Sequence, residues 1–334
     1  MSGGASADPR PAPEPTRQAI PSGGFYFVVN AGSGSQRSKE TQTVIREVLE
    51  SGGHRCRFFE ARRGDDLPAL AARALDEAQQ NDGVIAAAGG DGTLNAVAQL
   101  ALGGGRPFAM VPRGTFNYFG RTHGIPQDLR AAAEALLDAR LVDVQVGMVN
   151  DRVFLVNASL GLYPRLLEDR EAFKQRFGRS RFVAFCSALA SLRRHWQPMP
   201  IEVEVDGDRQ VLATQSLFVG NNALQLQQVG VEEADAIGHA LAVLMLRPVG
   251  TAGLFGLLLR GAFSRLGDAD SVISFSTPAL TVRPLTTGRG RRLKVAVDGE
   301  IVHLSAPLVF RVAPQRLALL VPRYSASPAG AACD

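Results

Sequence analysis

Val84-Ile85-Ala86-Ala87-Ala88-Gly89-Gly90-Asp91-Gly92-Thr93-Leu94-Asn95 joins a short apolar run to a glycine-dense turn and a helix start, continued by Ala96-Val97-Ala98-Gln99-Leu100. A buried strand, a glycine turn and a helix in this order are how α/β proteins hold phosphate groups. Glycine lets backbone amides approach an anion with no side chain in the way. The following helix turns its positive end toward the same spot. An acidic residue in such a loop does not bind phosphate directly, so Asp91 reads as a carboxylate for a magnesium ion, a sugar hydroxyl or a substrate hydroxyl. Gly-Gly-Asp-Gly is also ordinary turn chemistry, so the segment needs support from elsewhere in the chain. Neither a Gly-x-x-x-x-Gly-Lys-Ser/Thr loop nor a helix-opening Gly-x-Gly-x-x-Gly occurs, which removes the common phosphate loop and the usual dinucleotide fingerprint.

That support comes from the strand and helix signals around it. Phe25-Tyr26-Phe27-Val28-Val29 reads as a strand ending in the loop Asn30-Ala31-Gly32-Ser33-Gly34-Ser35. A helix through 43–49, a strand at 56–59, an alanine-rich helix through 67–78 and a strand near 108–111 complete an alternating pattern. Such alternation predicts an open, Rossmann-like parallel sheet with helices on both faces. Loops at the carboxyl ends of its strands converge on one edge. Three loops follow strands here: 30–35, 89–95 and 112–117. Their convergence is worth more than any one of them.

After about residue 141 strand signals dominate, at 153–157, 201–205, 211–220, 240–246, 279–282, 293–297, 301–304 and 308–312. With their Asp-Gly turns they predict hairpins and an antiparallel β-sandwich. The expected division is an extension over 1–23, a nucleotide-binding α/β domain over 24–141, a β-sandwich over 142–323 and a flexible tail over 324–334. Two stretches interrupt the β pattern. Residues 171–196 read as a basic helical segment and 250–266 as an apolar helix. Packing against the sandwich is one role for both; contact with an anionic membrane surface is the other.

The bulk numbers set bounds. The chain has 334 residues, enough for two domains each with a core. It is 46% hydrophobic and 20% charged with a formal charge of +4, and its mean hydropathy is +0.02. This mildly basic globular composition admits ATP, anionic lipid or nucleic acid as partners and separates them poorly. Cys56, Cys186 and Cys333 are too widely spaced for a disulfide framework or a zinc site, and the five histidines show no ligand spacing. No apolar run approaches the roughly 18 residues of a membrane span, and the Pro- and Gly-rich N-terminus lacks the apolar region of a signal peptide. The expected location is the cytoplasm.

Taken in order, Asn30-Ala31-Gly32-Ser33-Gly34, the 89–95 loop, Pro112-Arg113-Gly114-Thr115-Phe116-Asn117 and Asp298-Gly299-Glu300 resemble the diacylglycerol kinase catalytic-domain family, which includes bacterial lipid kinases and sphingosine kinases. The resemblance runs from about Phe25 to Pro322. NAD kinases share a similar Gly-Gly-Asp-Gly loop, but Gly-Thr-Phe-Asn is similar to the lipid kinases. The resemblance implies an ATP-binding α/β domain and a β-sandwich lipid domain, with the active site in the cleft between them. It implies that Asn30, Ser33, Gly34, Gly89, Gly90, Gly92, Thr93, Leu94, Asn95, Gly114, Thr115 and Asn117 hold the nucleotide. Asp91 would lie by magnesium or the acceptor hydroxyl, and Glu300 or Asp298 would activate that hydroxyl as general base. ATP and Mg2+ are the implied cofactors; no set of metal ligands is implied. The lipid would be presented at a membrane surface, placing the protein peripherally at the inner membrane face, with no role for nucleic acid.

Asp206-Gly207 occupies a strand-turn-strand context like that of Asp298-Gly299, and nothing local separates the two. Three positions depart from the family pattern. Tyr118 stands where an Asp usually follows Gly-Thr-x-Asn. Ile237-Gly238-His239 replaces an Asp-Gly pair linked to magnesium, with Asp235 displaced. Glu60 stands where a Thr for the nucleotide is usual. These departures keep open a catalytically weak relative that binds nucleotide or lipid in regulation or transport, beside an ATP-dependent kinase acting on a diacylglycerol-like or sphingoid lipid.

Overall fold

The structure, a computed structural model, describes residues 20–30, 35–61, 66–114, 117–161, 164, 198–221, 239–250, 271–285 and 292–323. The first half builds β1 (Phe25–Asn30), α1 (Ser35–Ser51), β2 (Cys56–Ala61), α2 (Leu67–Gln80), β3 (Val84–Gly89), α3 (Asp91–Gly104) and β4 (Phe108–Pro112), then the short helices α4 (Tyr118–Thr122) and α5 (Leu129–Glu134), and β5 (Ala139–Val144). The strands β1 to β4 pair in parallel. Both faces of their sheet are covered, which is why these strands read as unbroken apolar runs. Phe25, Phe27 and Val29 pack with Ile45, Leu49 and Ala132 on one side. Tyr26 and Val28 pack with Ala71, Ala74 and Val97 on the other.

The second half contributes β6 (Gly147–Val149), β7 (Arg152–Phe154), β8 (Asn157–Gly161), β9 (Met199–Val205), β10 (Asp208–Thr214), β11 (Ser216–Gly220), β12 (Leu241–Leu246), β13 (Val272–Thr277), β14 (Ala279–Pro284), β15 (Arg292–Val297), β16 (Glu300–Ser305), β17 (Leu308–Val312) and β18 (Leu317–Pro322). Two six-stranded antiparallel sheets form, in the orders β10-β9-β14-β17-β6-β7 and β13-β12-β11-β8-β15-β16. Their facing sides share one core, including Phe154, Leu160, Ile201, Leu217, Val243 and Phe310. This is the packing of a β-sandwich, and the α/β-plus-β fold class is as expected.

Several expected elements fall differently. The stretch 211–220 is not one strand: β10 and β11 break at Gln215 and enter different sheets. Likewise 153–157 divides into β7 and β8, because Leu155 and Val156 leave one sheet to reach the other. β5, β6, β13 and β18 have no counterpart in the expected pattern. β18 departs most from the expected domain division, since it lies in the first sheet, ordered β2-β1-β3-β4-β18-β5, rather than in the sandwich. It is paired over six residues with β5. Residues 142–144 and 317–322 therefore complete the α/β sheet. At the other end, Ile20 packs against the core and Gly23 donates to the Asp82 carbonyl, so 20–23 are attached to the domain. The helical readings of 171–196 and 250–266 fall outside the described residues, as do most of the N-terminal extension and the tail.

Candidate active site

α3 begins directly at the end of β3. Gly90 is its N-cap, in extended backbone and with no side-chain cap, so first-turn amides face the open edge of the sheet. Leu94 N–H makes the first helical bond, to the Gly90 carbonyl. Among the described residues, a Cβ on Gly90 would meet nothing closer than the Gly114 Cα at 4.0 Å. Uncapped amides, a helix dipole and glycine backbone fit a polyphosphate.

The expected nucleotide residues take different parts. Asn30 Nδ2 donates to the Thr93 hydroxyl at 3.1 Å, tying the end of β1 to α3. Thr93 is buried and Leu94 lies in the core, so Leu94 contributes only its backbone. Gly89 lies against Thr93. Asn117, also buried, closes the 114–117 loop: its Oδ1 accepts from Gly114 N–H at 3.1 Å, and its Nδ2 donates to the Gly114 carbonyl and to Gln127 Oε1, both at 2.8 Å. Ser33, Gly34 and Thr115 lie outside the described residues.

Three carboxylates gather here, in three environments. Asp91 opens α3 and accepts from the backbone N–H of Asn117 and from its own; burial nevertheless raises its pKa above the usual aspartate value. Asp298 is enclosed by donors. Leu155 N–H at 2.7 Å and Asn95 Nδ2 at 2.7 Å reach its Oδ2, while Val156 N–H at 2.8 Å and Asn157 N–H at 3.0 Å reach its Oδ1. Burial pushes this carboxyl up and the four donors oppose that. Glu300 is different. It makes no hydrogen bond among the described residues, and its carboxylate lies directly against the Cα of Gly92, where any Cβ would overlap it. Burial raises its pKa first of all; Arg152 lowers it and the charge of Asp91 raises it.

The hairpin explains how Glu300 arrives. Asp298 and Gly299 both have positive φ, 48° and 86°, between the paired residues Val297 and Glu300. This is the two-residue turn that Asp-Gly favours. Asp206-Gly207 has the same conformation, φ 51° and 89°, but both of its residues are exposed. What distinguishes the two hairpins is the neighbour: the loop 155–157 and Asn95 receive Asp298, and α3 receives Glu300. Asn95 also donates to the Val153 carbonyl at 2.9 Å, so it links the two domains rather than facing a ligand.

Of the departures, Glu60 has a partner of its own, accepting from the Ser38 hydroxyl at 2.6 Å. Tyr118 is 56% exposed at the start of α4. Ile237 lies outside the described residues. Two features were not expected from the sequence. Arg152, exposed on β7, acts electrostatically on Glu300. A cavity of about 120 Å³ at the domain junction is lined by Phe119, His123, Gln145, Leu155, Val156 and Asn221. Burial pushes His123 down to about 4. No sequence signal marks Arg152, because its relation to Glu300 exists only across the fold.

Gly92 supplies a direct check on this placement. It has no positive φ, and alanine is favoured in a helix, so Gly92→Ala leaves the fold intact and does not lower Tm. Its methyl group displaces Glu300, and a displacement of about 1 Å costs about 10²-fold in turnover. Unchanged turnover would remove Glu300 from the reacting centre.

The chain is thus a two-domain protein of α/β-plus-β-sandwich class, with carboxylates from both domains meeting at the N-terminus of α3. Residues 24–149 match the model of the diacylglycerol kinase catalytic domain. A diacylglycerol kinase of Staphylococcus saprophyticus is 34% identical over 137 residues, covering 40% of this chain and 44% of the relative. One from Staphylococcus haemolyticus is 28% identical over 198 residues, covering 58% and 57%. The chain therefore matches about half the length of these relatives. An uncharacterized protein of Synechocystis sp. is 24% identical over 319 residues, 89% of this chain and 70% of that one. The crystal structure of a diacylglycerol kinase from Bacillus anthracis shares the fold, with a TM-score of 0.63 at 15% identity over 90% of this chain and 98% of that one.

Proposed function

We propose that this protein is a lipid kinase that transfers the γ-phosphate of ATP to a hydroxyl of a diacylglycerol-like or sphingoid lipid. One observation carries the reading. Glu300, the one site carboxylate without a hydrogen bond among the described residues, is delivered by the second domain to the phosphate-binding end of α3. Phosphoryl transfer needs positioning and charge neutralisation more than covalent help. The α3 amides and the 89–92 backbone hold the phosphates. The acceptor oxygen attacks the γ-phosphorus and its proton passes to Glu300; the bond to the β-phosphate oxygen breaks and ADP leaves. Asp298 is a positioning residue in this scheme, fixing the turn that aims Glu300.

Among the described residues no cluster of three or more His, Cys, Asp or Glu side chains forms a metal site. Asp91 and Glu300 by themselves fit an ion that brings most of its ligands with the nucleotide, as Mg2+ does. Bound there, Mg2+ would neutralise phosphate charge. Asp91 would hold it. No helix among the described residues is long and apolar enough to cross a membrane; in this reading the lipid acceptor is presented at a membrane surface.

The deciding experiment is transfer of labelled γ-phosphate from Mg-ATP to a lipid extract in mixed micelles. A labelled lipid that disappears in Asp91→Asn supports the reading; the absence of any labelled lipid overturns it. The pH profile then reports on the base. Glu300 must be ionised to accept a proton, and its pKa is raised, so kcat falls with falling pH at values above those of an ordinary glutamate. Arg152→Met removes the cation that holds this pKa down, so the acidic limb moves to higher pH. A limb that stays in place would mean that Arg152 does not act on the base.

A further inference from the structure

β7 and β16 are end strands of the two sandwich sheets, and both lie against α3. Gln99 Nε2 donates to the Asp151 carbonyl at 3.4 Å, and Gln99 Oε1 accepts from Val153 N–H at 3.3 Å. With the bond from Asn95 to the Val153 carbonyl, α3 grips the backbone on both sides of Arg152. Asn95 is one turn, about 6 Å, into the helix. β16 meets the same helix at Gly92, through Glu300.

Strand register gives the direction of both side chains. Glu300 is paired with Val297 on β15, and Arg152 with Val149 on β6. Both valines belong to the sandwich core. Residues directly opposite one another share a face of the sheet, so Glu300 and Arg152 each lie on the inner face of an edge strand. Alternation agrees: Val302 and Leu304 follow Glu300 into the core, and Phe154 follows Arg152. The two charges therefore approach one another from opposite sheets, where α3 crosses the edge of the sandwich. Arg152 is near enough to lower the proton affinity of Glu300, yet it is exposed and makes no hydrogen bond or ion pair among the described residues. A guanidinium on a pinned backbone, with its five N–H donors uncommitted, is ready for an arriving anion.

We infer that Arg152 is a catalytic residue that donates hydrogen bonds to the phosphoryl group in transit between the nucleotide at α3 and the acceptor hydroxyl at Glu300. This inference rests on the lipid-kinase reading. The transferring group spreads its charge over three equatorial oxygens, and the planar fork of arginine matches two of them at once. Arg152 exchanges no proton and forms no covalent bond in the step. Its donors meet charge that has moved away from the β-phosphate, so their effect falls on turnover more than on nucleotide binding.

The test is kcat and KM for Mg-ATP in the full-length protein with the lipid extract in mixed micelles, on the alkaline plateau where Glu300 is ionised in every variant. Arg152→Met is expected to lower kcat by about 10²- to 10³-fold with KM for ATP nearly unchanged and with Tm unchanged. Arg152→Lys keeps the charge without the fork and should recover only part of the rate. Free guanidinium ion at a non-denaturing concentration should restore part of the rate to Arg152→Ala. Binding supplies a readout apart from turnover: Mg-ADP with aluminium fluoride, a mimic of the transferring group, should raise the Tm of the wild type above the value with Mg-ADP alone. Arg152→Met should lose that increment and keep the shift from Mg-ADP. A plateau rate equal to that of the wild type, or a higher KM for ATP at unchanged kcat, overturns the assignment while leaving the kinase intact. Transfer to no lipid by the wild type overturns the kinase reading and this assignment with it.

Discussion

Glu300→Gln is expected to lower kcat by about 10³-fold with KM for ATP nearly unchanged, the signature of a general base lost after the nucleotide is bound. Glutamine keeps the shape and contacts of the side chain, so the hairpin and its approach to Gly92 survive. What disappears is the basic oxygen. Glu300 suits the task because burial, and to a lesser extent the nearby Asp91 charge, raise its affinity for a proton against the opposing Arg152, and among the described residues no hydrogen bond competes for its oxygens. Rate measurements under saturating ATP check the effect, with a Mg-ATP thermal shift as the binding control. A variant that turns over at the wild-type rate would transfer the role to another group.

Asp298→Ala produces the second large effect, and it is of another kind. The substitution strands three backbone N–H groups, of Leu155, Val156 and Asn157, together with the Asn95 amide. Leaving such donors unpaired costs about 3 kcal/mol or more in total, a fall of about 6–10 °C in Tm. Activity falls as well, because the turn that aims Glu300 loses its anchor. Asp298→Asn separates this role from direct catalysis. Its Nδ2 faces N–H donors in place of an acceptor, so a positioning residue again loses stability. A base would lose turnover with Tm unchanged. Thermal melts of both variants beside their rates decide between the two.

How far the sequence reaches is visible at these same residues. The parallel sheet was legible because β1, β3 and β4 are buried on both faces and read as apolar runs, each followed by a loop at the carboxyl edge. The hairpin at 298–299 was legible as Asp-Gly turn chemistry. The division of labour between Asp298 and Glu300 was not, because it depends on amides 141–143 positions away in the chain. Asn95 and Asn117 carried a motif that pointed to nucleotide, and their side chains instead hold the protein's own loops. β18 was hidden for a different reason. Its six apolar residues name no partner, and only the vacancy between β4 and β5 decides where they go. The splits at 155–156 and at Gln215 escaped because a continuous β pattern does not record a change of sheet.

The return of β18 bears on how the protein is made. The first sheet begins with Phe25, but the strand between β4 and β5 comes from Leu317–Pro322. During synthesis the α/β domain therefore emerges with a gap at the edge of β4, and β5 has no neighbour until the whole sandwich has left the ribosome. The two domains are not independent beads on a chain. The second is looped out of the first, held at both ends by adjacent strands. A premature stop after the last sandwich strand would spare every residue of the candidate site and still leave the sheet beneath it unfinished.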